Sequence, residues 1–200
     1  MSNRFLVTQS LLSSWLWLYK ASDPKKAQMD FLRVLERRKE RPTGPMLDGI
    51  QFENMVTACC TGSPPATEHK WAAGVEAVSG IVQGGQFQVA ASVRRQIEDT
   101  DFVLYGRLDA LKAGVIYDIK FSRSYEPGKF LDSPQHPMYF ECCPEVQKFV
   151  YLVSNGTDLC REEYLREDTP SIELTIRQFI RYLKSTGLLA TYYNNWRSKY

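Results

Sequence analysis

Apolar residues recur at helical spacing through the first third of the chain, alternate with polar ones through the middle, and return to helical spacing at the end. Thr8 or Ser10 is placed to cap a first helix in which Leu12, Trp15, Leu16 and Tyr19 fall on one stripe. Asp23-Pro24 restarts the chain as a second helix, with proline at its first position and Phe31, Leu35 and Arg38 following at helical spacing. Its far end, Glu36-Arg37-Arg38-Lys39-Glu40-Arg41, reads as a solvated helix end that stops at Pro42, with a basic edge for phosphates as the alternative. Pro45 opens a third helix of roughly a dozen residues. Phe52, Met55, Val56 and Cys59 form its apolar stripe, Gly49 and Glu53 stack on the neighbouring face, and Gly62-Ser63-Pro64-Pro65 ends it. A fourth helix is expected over residues 67–82, closed by Gly84-Gly85.

The period then changes to two. Residues 87–93 alternate like a half-buried strand, and further strands are expected over 101–111, 115–122 and 148–153. Asn155-Gly156 is the strongest short hairpin signal in the chain and returns it as a strand over 157–162. Asn155-Gly156-Thr157 also spells a glycosylation sequon, which has no meaning without a secretory route. After Thr169-Pro170 comes a helix with Ile172, Ile176, Phe179, Ile180 and Leu183 in period, then an aromatic one with Leu189, Tyr192, Tyr193 and Trp196. Helices around a run of strands predict an α/β fold with a mixed, mainly antiparallel central sheet. Two hundred residues predict one domain, 1–200, with a helical N-terminal part (about 1–84) and a helical C-terminal extension (about 169–200).

Composition narrows the function classes. At 44% hydrophobic and 24% charged the chain matches ordinary globular proteins, which excludes a disordered one. No apolar run approaches the ~20 residues of a membrane span, and no secretory signal opens the sequence, so a cytoplasmic protein without a membrane partner is expected. Basic and acidic residues number 25 and 23, so polyanion binding must come from local clustering rather than bulk charge. The five cysteines show no C-x-x-C spacing and read as reduced, mostly buried thiols. Neither a G-x-x-x-x-G-K-[ST] loop nor a G-x-S-x-G elbow is present, which excludes a P-loop motor and a nucleophile-elbow hydrolase.

The informative stretches are Tyr105-Gly106-Arg107-Leu108-Asp109 and Tyr117-Asp118-Ile119-Lys120. Strand alternation puts Asp118 and Lys120 on one face. If Ala113-Gly114 is a two-residue hairpin loop, Lys112 pairs with Val115 and Asp109 falls opposite Asp118, with Cβ atoms about 4.5–5.5 Å apart. Opposed carboxylates destabilise a sheet unless positive charge lies between them. Lys120 supplies one such charge, and a hard divalent cation would supply the rest, using one or two carboxylates together with water and phosphate oxygens. A cross-strand salt-bridge cluster on an exposed face is the plain alternative.

Asp-Ile-Lys within an apolar strand, an aspartate nine residues upstream, an earlier helical glutamate and a later Gln-x-x-x-Tyr together resemble the PD-(D/E)xK nuclease superfamily, in its RecB-like and phage exonuclease-like branch. The resemblance spans most of the chain and implies a restriction-endonuclease-like core. It implies a metal-dependent nuclease hydrolysing DNA phosphodiester bonds, an exonuclease in recombination, repair or phage DNA processing. A catalytically inactive nucleic-acid-binding module on the same fold is the alternative. By the same resemblance Asp109, Asp118, Glu53 and the main-chain carbonyl of Ile119 would hold Mg²⁺ or Mn²⁺, and Lys120 would be the catalytic lysine. Gln135 and Tyr139 would orient that lysine and touch DNA. Gln147 and Tyr151 share the spacing but read as strand. The cysteine pattern of iron–sulfur members is absent, so no cluster is expected. Arg107, Arg123, Lys129 and Tyr125 are the candidate DNA contacts, within a wider basic and aromatic set of Arg94, Arg95, Lys112, Tyr105 and Phe130. A homo-oligomer and a recombination partner protein are the further associations this resemblance implies.

Overall fold

The computed structural model describes residues 4–39 and 41–199. In chain order the elements are β1 (Arg4–Thr8), α1 (Gln9–Trp17), α2 (Pro24–Leu35), α3 (Gly44–Cys60), α4 (Ala72–Val82), β2 (Gln86–Ile97), β3 (Thr100–Lys112), β4 (Val115–Phe121), α5 (Gln135–Cys142), β5 (Lys148–Ser154), β6 (Leu159–Leu165), α6 (Ile172–Ser185) and α7 (Leu189–Asn195). The fold is α/β, as expected, with helices on both faces of one mixed sheet. β2–β3, β3–β4 and β5–β6 pair antiparallel, whereas β1–β3 and β4–β5 pair parallel. Among the described residues no helix is long and apolar enough to cross a membrane.

Alternation along β5 shows how the two layers are filled. Phe149, Tyr151 and Val153 enter a core made with α1, α2, α5, α6 and α7, and Val150 and Leu152 enter a second core made with α3 and α4. The local signals at the helix starts are used as read. Thr8 caps α1 by accepting from Leu11 N, and Asp23 caps α2 by accepting from Lys26 N with Pro24 in the first turn.

Several expectations are corrected. The chain opens with a strand, β1, whose Phe5 and Val7 are buried and which pairs parallel to residues 101–105 of β3. Five residues running straight into a helix cap contain no turn to announce a strand. α2 stops at Leu35, and Arg37 turns left-handed (φ 54°) to place its guanidinium 4.5 Å from the Trp196 ring, so the mixed-charge run does not continue the helix. Glu40 of that run lies outside the described residues. α3 spans 17 residues rather than a dozen. α4 begins at Ala72 because 67–71 form turns in which His69 Nδ1 accepts from Trp71 N.

The β5–β6 connection holds four residues, since the last pair is Ser154 with Leu159. Asn155 Oδ1 accepts from both Thr157 N (2.9 Å) and Asp158 N (2.8 Å), which closes a side-chain-capped turn in place of a two-residue one. Gly156 is obligatory there: its φ is 103°, and a Cβ would lie 2.4 Å from the Trp71 ring. The cysteines are all free thiols, but only Cys143 is buried. Cys59, Cys60 and Cys142 are partly exposed and Cys160 is exposed on the outer strand β6.

β3 organises the site. One of its edges is covered by β2 along nearly its whole length. The other edge is shared, with β1 on residues 101–105 and β4 on 110–112. Gly106, Arg107, Leu108 and Asp109 therefore lie in a fork with no strand partner on that side. At the same level the strand changes layers: Leu108 belongs to the first core and Ala110 to the second.

Candidate active site

The β3–β4 hairpin has the expected register. Lys112 pairs with Val115, and Ala113 (φ 50°) and Gly114 (φ 75°) both take the left-handed conformation that a tight two-residue loop demands. Carried back, that register sets Asp109 opposite Asp118, but the ladder ends at Ala110–Tyr117 where the fork opens. Asp109 Oδ2 then accepts from Ile119 N at 2.8 Å, taking the place of a strand neighbour. The N–H and C=O of one strand residue point to the same edge, so the Ile119 carbonyl also faces the fork.

Asp118 is 1% exposed and gripped from two directions. Gln135 Nε2, from the first turn of α5, donates to Oδ1. Lys120 Nζ lies 2.6 Å from Oδ2, an ion-pair contact without hydrogen-bond alignment, so Oδ2 is a buried acceptor with no directed donor among the described residues. Glu53 completes the acidic group from α3. It sits one position beyond the buried Phe52, and its Oε1 accepts from Gln88 Nε2 of β2.

These charges are mutually frustrated. Burial, then the charges of Asp118 and Glu53, pushes the Asp109 carboxyl up to about 8. Burial and Asp118 likewise raise Glu53. Burial opposes the charge on Lys120, but Asp118, Asp109 and Glu53 outweigh it and hold the ammonium above its ordinary range. One lysine faces three carboxylates. Among the described residues no group of three or more Asp, Glu, His or Cys side chains is placed to hold a metal ion. The set instead fits a hard cation that takes one or two carboxylates and completes its shell with water and substrate oxygens. The donors are all oxygen, and the buried Asp118 Oδ2 has the Lys120 ammonium at 2.6 Å as its partner. The one or two carboxylates such an ion takes would come from Asp109, Asp118 and Glu53, beside the Ile119 carbonyl.

The Gln-x-x-x-Tyr pair lies on one helix, and its two side chains make separate contacts. Gln135 binds Asp118 rather than the lysine. Tyr139 is only 3% exposed. Its hydroxyl donates to the Arg107 carbonyl at 3.0 Å, satisfying a backbone group that the fork leaves without a strand partner. Its ring covers Gly106, where an added Cβ would stand 2.1 Å from Tyr139 Cε1. The alternative tyrosine, Tyr151, is buried in the first core beside His136 and Phe130.

The basic set divides. Arg107 is exposed on the solvent side of the β2–β3 pair, across from Ala90, with Tyr105 opposite Ser92 and Arg94 opposite Val103 farther along. Neither Arg94 nor Arg107 forms a salt bridge among the described residues, although the positive charge of Arg107 reaches Glu53 and opposes the rise of its carboxyl. Arg123 is held by Asp48 at 2.9 Å, and Lys129 Nζ donates to the Ser124 carbonyl at 3.2 Å. The Tyr125 hydroxyl donates to Glu162 at 2.6 Å, and Phe130 stacks on Tyr151. Arg95 pairs with Glu141, and Lys112 donates to the Ile81 carbonyl. Sequence reasoning missed Gln88 altogether. Its φ is +54°, unusual for a strand residue without special backbone freedom and costing about 1–2 kcal/mol. A polar residue in an alternating strand carries no signal of that.

No family model and no curated protein matches the chain. Among solved structures, one described as the crystal structure of SSO0001 is similar over 92% of this chain and 78% of its own, with a TM-score of 0.56 and 11% identity. At that identity the likeness is one of fold.

Proposed function

We propose that the protein is a divalent-cation-dependent nuclease that hydrolyses DNA phosphodiester bonds. The observation that carries this reading is the convergence of Asp109, Asp118 and Glu53 on the fork in the sheet, with Lys120 as the one ammonium among them. Such a charge excess is a liability for a structural protein and an asset for one that gathers a cation and a phosphate. A bound Mg²⁺ or Mn²⁺ would polarise the phosphoryl oxygen and make an attacking water more acidic. The chain's own groups do the rest. Gln135 fixes Asp118, Asp118 aims the Lys120 ammonium, and that ammonium offsets charge developing on the phosphoryl oxygens. Arg107 and Arg94 line one solvent face leading from the fork and track the phosphate backbone. An exonuclease of recombination, repair or phage DNA processing follows from the resemblance to the RecB-like and phage exonuclease-like branch.

Incubation with linear and circular DNA in Mg²⁺, Mn²⁺ or EDTA tests this reading against the binding-module alternative. Cutting that needs the cation and disappears in both Asp118→Ala and Lys120→Ala supports it. DNA shifted in a gel but never cut would make the chain a binder, and neither effect would leave a structural adaptor.

A further inference from the structure

Gln88 lies inside β2, where strand residues have negative φ, yet its φ is +54°. Phe87 and Val89 pair regularly with Ala110 and Leu108, and the position that drops out of the ladder between them is Gln88 opposite Asp109. No chain reversal calls for this, since β2 continues to Ile97. Nor is the residue one that enters the left-handed region readily, as glycine, asparagine or aspartate would. What the conformation achieves is the placement of one side chain, whose carboxamide donates to Glu53 Oε1. Glu53 approaches the acidic group from a helix, on a flexible side chain, and this is the one hydrogen bond its carboxylate receives among the described residues. An amide suits the task. Lysine or arginine would neutralise the carboxylate and compete with a cation, whereas an amide holds one oxygen and leaves the charge in place.

We propose that Gln88 is a positioning residue, held in a strained backbone conformation so that its amide keeps Glu53 facing Asp109 and Asp118. The inference rests on the reading of this acidic group as a cation site. It is tested by calorimetric titration of the full chain with MnCl₂, comparing the wild type with Gln88→Gly, Gln88→Ala, Glu53→Gln and the Gln88→Gly/Glu53→Gln double variant. Gln88→Gly removes the amide and frees the backbone; Gln88→Ala removes the amide alone. A thermal melt of each without Mn²⁺ establishes that it is folded. Both Gln88 variants should lose about tenfold or more in Mn²⁺ affinity, the usual effect of removing a partner that orients a ligand. The double variant should bind no more weakly than Glu53→Gln, because both changes break one linkage. Unchanged affinity in a folded Gln88 variant, or losses that multiply in the double variant, would overturn the positioning role and leave the cation site standing. A wild-type chain that takes up no Mn²⁺ would overturn both.

Discussion

Replacing Asp109 by asparagine should stabilise the cation-free protein while removing its response to the cation. An aspartate carboxyl ordinarily near 3.8 is pushed up to about 8 here, so between those limits the folded state carries a proton that the unfolded state has released. Stability then falls as pH rises from about 4 to about 8, the reverse of the usual carboxylate behaviour. At about 1.4 kcal/mol per pH step the ceiling on this cost at neutral pH is about 4 kcal/mol. Because Asp118 and Glu53 share the repulsion, a working figure is about 2 kcal/mol. Asparagine keeps an oxygen to accept from Ile119 N, so the hydrogen bond at 2.8 Å survives the change. For a chain of this size about 2 kcal/mol corresponds to a melting temperature higher by roughly 4–8 °C. The assay is a thermal melt at pH 5, 7 and 8.5 in EDTA and again in Mn²⁺. Wild type should melt progressively lower as pH rises in EDTA and recover in Mn²⁺. Asp109→Asn should melt higher at pH 7 and 8.5, with a flatter pH profile and little gain from Mn²⁺. A variant that melts no higher than wild type at pH 8.5, with the same slope, would refute the claim that these acids face one another.

Three further outcomes follow from the same geometry. Gly106→Ala places a Cβ 2.1 Å from Tyr139 Cε1, so it should destabilise the chain by about 1–3 kcal/mol, with partial recovery when Tyr139→Leu is added; denaturant unfolding measures both. His136 is 3% exposed and stacked on Tyr164, and burial holds its imidazole down at about 4. The unfolded chain protonates near pH 6.5 and the folded one does not, so stability should drop by roughly 2–3 kcal/mol as pH falls from 6.5 to 4, and His136→Phe should abolish that component of an acid-unfolding curve. Arg107→Ala should weaken DNA binding and reduce the slope of log affinity against log salt by about one, read by fluorescence anisotropy with uncut DNA in EDTA; an unchanged slope would place the backbone path elsewhere.

Local chemistry in this chain was legible because it acts over a few residues. The caps at Thr8 and Asp23, the Lys112–Val115 register, and the shared face of Asp118 and Lys120 all follow from neighbours within one turn or one hairpin. The α/β class came with them, and so did the register that, carried back, sets Asp109 toward Asp118, although the ladder itself ends one pair earlier at Ala110–Tyr117. Of the two Gln-x-x-x-Tyr candidates in the sequence, Gln147 and Tyr151 read as strand, and Gln135 and Tyr139 are the pair found on a helix. Its chemistry was not legible: that Gln135 reaches Asp118 and that Tyr139 serves the Arg107 carbonyl depends on α5 crossing β3, an approach that no spacing encodes.

The same divide separates the rest. Apolar periodicity and turn residues determined most of the helices and strands, β1 excepted, since those preferences act residue by residue. Only the tertiary structure decided that a short first strand would lie beside β3 and stop at Tyr105, leaving four residues of β3 open before β4 begins. At that gap Asp109 reaches across to Ile119 N, and the charge of Glu53 comes in from another layer. Contacts between segments tens of residues apart are selected by how whole faces pack, and packing leaves no mark at any single position. The strain at Gln88 is of that kind. Nothing beside it in the chain asks for it, and its reason lies on a helix 35 residues away.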